Sequence, residues 1–254
     1  MEIIKDEITA ILTIWRRNHL KKQLECILNQ TKKPYQIWIY QNESHLNVQL
    51  SEDVKKEYNI SMIHSKDINF KFHARFALPL LCNTEYVAIF DDDTMPGNRW
   101  FENCLDTSKR NNSIVGANGR TLKKGFEEQD EQYMTSIGGG APVEKETEVD
   151  FVGHCWFFKS EWARNLWMDR PYSWENGEDI HFSAACKIHQ GIRSFVPELP
   201  ANDRSLWGDT QPFLGDDDHS TYKTSNHSRL RAEVSKYWCK MGWEPLCASK
   251  DAND

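Results

Sequence analysis

Three short, nearly continuous apolar runs, residues 8–15, 37–40 and 86–90, constrain the fold of this chain more than any other feature. Runs of that length are strands rather than helices, and apolarity at successive positions means burial on both faces, as in a parallel sheet. Between the first two, Asn18 is placed to cap a helix in which Leu20, Leu24, Ile27 and Leu28 fall on one face, and Pro34 closes the stretch. Residues 60–64 supply a further strand. Phe72, Phe76 and Leu80 share a helical face that Pro79 interrupts near its end. Strands alternating with helices at these spacings specify an α/β fold with a mainly parallel, Rossmann-like central sheet flanked by helices.

The second half is less regular and predicts a smaller mixed C-terminal part. Residues 121–149 are polar, contain Gly138-Gly139-Gly140, and read as a long mobile loop of the kind that forms lids. Residues 151–158 suit a strand and 161–168 a short helix. Residues 178–190 suit a helix ended by Gly191, residues 192–196 return to the sheet, and 228–241 form a C-terminal helix. No repeat or low-complexity linker divides the chain, so a single domain over 1–254 is expected.

Bulk properties exclude several classes of function. With 39% apolar and 27% charged residues the chain is soluble and globular. A net charge of -7 is the wrong sign for a broad nucleic-acid footprint, and it obliges any anionic ligand to find local cations or a metal. Seven cysteines, an odd number without a C-x-x-C pair, fit reduced buried thiols better than disulfides or zinc. The opening run Met-Glu-Ile-Ile-Lys-Asp-Glu is too charged for a signal peptide, and no apolar run approaches the ~20 residues of a membrane span. A cytoplasmic location is the expectation.

In open α/β sheets, ligands bind outside the carboxyl ends of the strands. Three strand ends carry polar groups: residues 13–18, 41–43 and 91–93. If the strands are parallel, all three face one crevice. The most telling is Asp91-Asp92-Asp93, since three adjacent carboxylates repel one another strongly without a cation. Oxygen ligands suit Mg²⁺ or Mn²⁺ shared with substrate phosphates. Alternation along the chain sends Asp91 and Asp93 to one side, towards metal and diphosphate, and Asp92 to the other, towards a ribose or a backbone amide. A solvated acidic turn is the plainer alternative. The apolar strand before it and Pro96-Gly97 after it favour the metal.

The run Tyr86-Val-Ala-Ile-Phe-Asp-Asp-Asp93 resembles the strand and Asp-x-Asp motif of glycosyltransferases of the GT-A fold, particularly those similar to family 2. Asn69-Phe-Lys-Phe-His-Ala-Arg75 resembles the family's Asn-x-Gly-x-x-x-Ala-Arg-Asn stretch, with Lys71 in place of a glycine and Phe76 in place of the final Asn. Asn29-Gln30-Thr31 is similar to the Gln-Ser or Gln-Thr that follows the family's first helix, and Gly177-Glu178-Asp179 to its Gly-Glu-Asp segment. The match spans roughly residues 7–190. In its short form the chain also resembles small glycosyltransferases of large algal viruses.

The resemblance implies a nucleotide-sugar donor, a UDP-sugar in particular, and a glycan or other hydroxyl acceptor. It divides the chain into a nucleotide-binding half, 1–118, and an acceptor-binding, catalytic half, 119–254. It assigns Thr13, Trp15, Arg16, Asn42, Arg75, Asp91 and Asp92 to the nucleotide sugar and Asp91 and Asp93 to Mn²⁺ or Mg²⁺. Asp179 becomes the base that activates the acceptor, with Glu178 as the lesser candidate, and inversion follows from attack opposite the leaving group. At a helix N-terminus the same two acids also serve simply as capping residues.

Other features weigh less. Gly215-Asp216-Asp217-Asp218-His219 reads as a solvated loop, since no apolar strand precedes it. His219 or His227 is a candidate extra metal ligand, whereas His154, inside a strand, reads as a core or acceptor-site residue. Trp156, Trp174 and Trp207 suit either core packing or an acceptor sugar. A nucleotidyltransferase would carry a Gly-rich loop after the first strand, where this chain has Ile-Trp-Arg-Arg-Asn. A phosphohydrolase using an aspartyl phosphate would want its acids there. A nucleotide-sugar-binding module without catalysis is the non-enzymatic alternative.

Overall fold

The computed structural model describes residues 2–43, 46, 48–128 and 133–249. Strand β1 (Ile4–Ile14) is central to a parallel half-sheet, paired on one side with β2 (Gln36–Asn42) and on the other with β4 (Thr84–Phe90), while β3 (Ile60–Ser65) lies outside β2. Ile8, Ala10, Ile11, Leu12 and Ile14 of β1 are all buried, which accounts for the nearly continuous apolar run. Helix α1 (Leu20–Leu28) buries Leu20, Leu24 and Ile27 against this sheet. Its N-cap is His19, not the expected Asn18. Helix α2 (Glu52–Glu57) buries nothing and so left no hydrophobic period to read.

The stretch carrying Phe72, Phe76 and Leu80 is not an α-helix but two 3₁₀ turns, Ala74–Phe76 and Leu78–Leu81. Pro79 has no N–H to donate and cannot sit in a longer helical ladder. Helix α3 (Trp100–Asn111) then leads to β5 (Ile114–Leu122).

Beyond this point the sheet is mixed. β8 (Phe151–Lys159) inserts antiparallel between β4 and β5, and β9 (Ser194–Val196) pairs parallel with β5, giving the order β3-β2-β1-β4-β8-β5-β9. The expected mobile loop over 121–149 instead holds two strands, β6 (Met134–Gly138) on β5 and β7 (Thr147–Val149) on β9; its residues 129–132 lie outside the described residues. Edge pairing is satisfied by backbone groups, so these polar segments needed no apolar signature. The segment expected as a short helix over 161–168 is a 3₁₀ stretch, Ser160–Trp167.

Helix α4 (Glu178–Gln190) falls where the sequence placed it, ended by Gly191 at φ 66°. Helix α5 (His227–Lys240) packs on α4, and a second apolar cluster of Ile180, Ala184, Val234 and Trp238 forms between them. A short last helix, α6 (Leu246–Ser249), completes the order. The cysteines are all unpaired thiols. Among the described residues no helix is long and apolar enough to cross a membrane.

Candidate active site

The carboxyl ends of β1, β2 and β4 open into one cleft of about 790 Å³, lined by Thr13, Trp15, Asn42, Arg75 and all three aspartates. Its floor is fixed by buried amides. Gln23 of α1 donates to the carbonyls of Asp91 and Thr94 at 2.6 and 3.0 Å, setting the turn after β4. Gln30 donates to the Gly97 carbonyl at 2.6 Å and accepts from the Phe101 N–H at 3.0 Å, so the residue that resembles the family's Gln-Thr pins the start of α3. Thr13 Oγ1 donates to the Phe90 carbonyl at 2.8 Å and ties the end of β1 to the end of β4. Asn42 donates to Asn69 Oδ1 at 2.9 Å and accepts from the Phe70 N–H at 3.1 Å, holding the loop that precedes Arg75.

Within that loop Lys71 has φ 55°. This is the left-handed conformation a glycine adopts without cost, so the Lys71 departure from the family pattern keeps a glycine-like backbone.

Asp91 and Asp93 point to the same side, as their spacing required, and His154 joins them. His154 Nδ1 lies 3.9 Å from Asp91 Oδ2 and 3.8 Å from Asp93 Oδ1, and one ligand atom from each of the three lies within 4.8 Å of the others. Asp93 Oδ1 is buried without a hydrogen-bond partner among the described residues. Burial raises the pKa of all three aspartates, and mutual repulsion adds to it. Burial would lower that of His154, but its hydrogen bond to Asp209 and the charges of Asp93 and Asp91 lift it to about 9. An orphaned carboxylate oxygen and a set of mutually repelling acids are what a divalent cation relieves, and two carboxylates with an imidazole suit Mn²⁺ or Mg²⁺. His154 therefore belongs to the acidic cluster rather than the core, where its strand position had placed it.

Arg17, which the sequence did not single out, reaches the aspartates; Arg16 lies exposed, 4.2 Å over the Trp15 ring. Arg17 contacts Asp92 Oδ1 at 3.0 Å and Asp93 Oδ2 at 3.2 Å, and on its other edge holds Asp217 at 2.7 Å through both Nε and Nη2. The hydrogen bond to Asp217 is the main reason its pKa is raised. The second acidic triplet is thus folded over the first. Gly215 makes this possible, since a Cβ there would overlap the Asp93 carboxylate.

Arg75 is buried and bridges two acids: Nη1 to Asp91 and Nη2 to Glu178 Oε1 at 2.6 Å, with its guanidinium 4.4 Å from the Trp156 ring. Asp179 is held in bidentate fashion by Arg231, at 2.9 and 2.7 Å, and accepts from the Ile180 N–H at 2.9 Å. Burial raises the Glu178 pKa beyond what Arg75 offsets; for Asp179 burial pulls the same way, but Arg231 outweighs it and the pKa falls. Both acids line a smaller recess of about 120 Å³ shared with Asp91, His154, His227 and Arg231. His227 is engaged at Nδ1 with Asn176 at 2.8 Å, and His219 lines the main cleft. Trp156 and Trp207 are core residues, while Trp174 is about half exposed and packs edge-on against His73.

A family model described as Glycosyl transferase family 2 matches residues 10–167, more than half of the chain. The chain belongs to glycosyl transferase family 2. This glycosyltransferase has the GT-A type of α/β fold, and the match runs from within β1 through β8 with the whole aspartate cluster. It stops short of Glu178 and Asp179, of which Glu178 is joined to the cluster through Arg75. No curated protein matches the chain.

Proposed function

We propose that this glycosyltransferase moves a sugar from a nucleoside-diphosphate sugar, a UDP-sugar, to an acceptor hydroxyl in a metal-dependent reaction with inversion. One observation carries the reading: Arg75 joins Asp91 to Glu178, so the strand-end aspartates of the main cleft connect to the acids opening α4 in the adjoining recess, with Arg75, Asp91 and His154 lining both. A cleft of about 790 Å³ suits a ligand of nucleotide-sugar size. Residues 1–118 bind the nucleotide, through Thr13, Trp15, Asn42 and Asp92, with Arg16 at the rim. Residues 119–254 supply the acceptor side and the base.

Asp91 and Asp93 are the residues that hold Mn²⁺ or Mg²⁺, which when bound supplies positive charge for the departing diphosphate. Arg75 adds fixed positive charge beside Asp91. Asp179 takes the proton of the acceptor hydroxyl. The acceptor oxygen bonds to the anomeric carbon as the bond from that carbon to the diphosphate oxygen breaks, with the electron pair leaving on the diphosphate. Arg231 keeps the Asp179 carboxylate ionised and in one orientation. Glu178 is the second candidate base, favoured by its raised pKa and disfavoured by its bond to Arg75.

Paired variants test the assignment. Asp179→Asn should lower transfer by roughly 10²–10⁴-fold while keeping metal-dependent binding of UDP, and Glu178→Gln should cost less. Equal transfer by wild type and Asp179→Asn would remove Asp179 as the base. A wild type that binds UDP yet neither transfers nor slowly hydrolyses any sugar nucleotide would favour a binding role.

A further inference from the structure

We propose that His154 is a metal ligand through Nδ1, and that Asp209 is the positioning residue that fixes its imidazole for that task. The proposal deepens the metal-dependent reading above and rests on it. The Asp-x-Asp resemblance implies the carboxylates only; the nitrogen donor comes from a different strand and from a local irregularity in it.

That irregularity is a β-bulge. Gly116 of β5 faces Trp156 and Asn118 faces Gly153, so the single residue Ala117 opposes two, His154 and Cys155. His154 takes the extra place with φ 73°, a conformation that is strained for a non-glycine residue. The bulge turns the imidazole out of the strand's alternation and aims it at the end of β4. The backbone is locked there, because the His154 carbonyl accepts from Thr94 Oγ1 at 3.1 Å and from the Asp91 N–H at 3.3 Å.

The other ring nitrogen has its own partner. His154 Nε2 lies 3.1 Å from Asp209 Oδ2, while Asp209 Oδ1 accepts from the Met95 N–H at 3.1 Å and the Gln211 N–H at 2.9 Å. Gly208 permits this approach, since a Cβ there would overlap Ala117, Trp100 and Cys155. A carboxylate on Nε2 holds the proton on that nitrogen and leaves the Nδ1 lone pair for a cation. The 3.8 and 3.9 Å separations from Nδ1 to Asp93 and Asp91 are too long for hydrogen bonds. Adjacent donors sharing one ion at bond lengths of about 2.0–2.2 Å stand about 3 Å apart, so a bound cation would draw the three side chains in by about 1 Å. A nitrogen donor also shifts preference towards Mn²⁺ over Mg²⁺, the later and less oxygen-demanding ion. The rival role for His154 is an imidazolium that balances the aspartates without touching metal.

Electron spin-echo spectroscopy on the full chain with Mn²⁺, alone and with UDP, decides between them. The expected result is ¹⁴N modulation of the Mn²⁺ signal from a directly bound imidazole, lost in His154→Gln. Titration calorimetry should show Mn²⁺ binding weakened roughly 10–100-fold in Asp209→Asn, and a smaller Mn²⁺-to-Mg²⁺ affinity ratio in His154→Gln. Bound Mn²⁺ without nitrogen modulation in the wild type would overturn the ligand assignment and leave the Asp91–Asp93 site standing. No Mn²⁺ binding under either condition would overturn both. The wild-type spectrum needs no variant to fold.

Discussion

At the scale of single residues, the site is a chain of buried charges in which each member is paired. Arg75 stands between Asp91 and Glu178 with both neighbouring acids pushed upward in pKa by burial. Removing one partner of such a group leaves an uncompensated charge, which costs about 3–5 kcal/mol. Arg75→Met should therefore lower unfolding free energy by about that amount in urea titration. Glu178→Gln in the same background should restore part of it, because the two sites share one interaction. Additive losses would show that Arg75 and Glu178 are energetically independent. The sequence made Arg75 legible through its neighbours, but nothing in it said that the guanidinium would face two acids, one 16 and the other 103 residues further along the chain. Arg17 was passed over because its partners, Asp92, Asp93 and Asp217, lie 75 or more residues away, where no local spacing rule reaches.

At the scale of elements, the segment after Trp207 behaves as a strap across the cleft. Arg17 holds it at Asp217, and the Gly215 carbonyl accepts from Arg17 Nη2 at 3.0 Å. Asp217 is 39% exposed, so water screens the pair and its net worth to stability is below about 1 kcal/mol. Asp217→Ala should shift the melting temperature by less than about 4 °C while speeding limited proteolysis within residues 212–226. A large loss of stability would mean that the strap is part of the core. Gly215→Ala is the complementary change: its Cβ meets the Asp93 carboxylate, so UDP and Mn²⁺ binding should weaken with little change in melting temperature.

The elements themselves were readable to different depths for physical reasons. β1, β2, β4 and α4 bury their apolar runs on the sheet or between layers, and the sequence carried that burial openly. β6 and β7 are held mainly by backbone pairing at the sheet's far side, α2 buries no side chain, and the bulge at His154 arises from register. None of these leaves a hydrophobic period. The acidic run 216–218 reads as solvated because its strongest partner is an arginine on β1's carboxyl-terminal side rather than a preceding strand.

At the scale of the whole molecule, acid should loosen the fold through its buried histidines. His73 and His181 are buried beside one another, at 6.5 Å between ring centroids, and neither has a hydrogen-bond partner for its ring nitrogens among the described residues. Burial lowers their pKa values to about 4 and about 3. Above pH ~6.5 both are neutral in the folded and unfolded chain and contribute no pH dependence. As the pH falls below that value the unfolded chain takes up protons that the folded one refuses, so stability drops by about 1.4 kcal/mol per pH unit for each histidine until the folded pKa is reached. Between pH 6.5 and 5.5, where the unfolded histidine goes from half to nearly fully protonated, His181→Phe should lose less stability than wild type by about 1 kcal/mol in urea titrations. Parallel curves for the two proteins would contradict the assignment.

Thermal unfolding tests most directly whether the aspartate cluster and the cleft act together as a metal-dependent nucleoside-diphosphate site. With Mn²⁺ saturating, UDP near 100 times its dissociation constant should add about 2.7 kcal/mol to the stability of the wild type, with a markedly smaller shift for UDP without Mn²⁺ and none for Asp91→Asn/Asp93→Asn. No metal-dependent shift with any nucleoside diphosphate or sugar nucleotide would contradict that joint role.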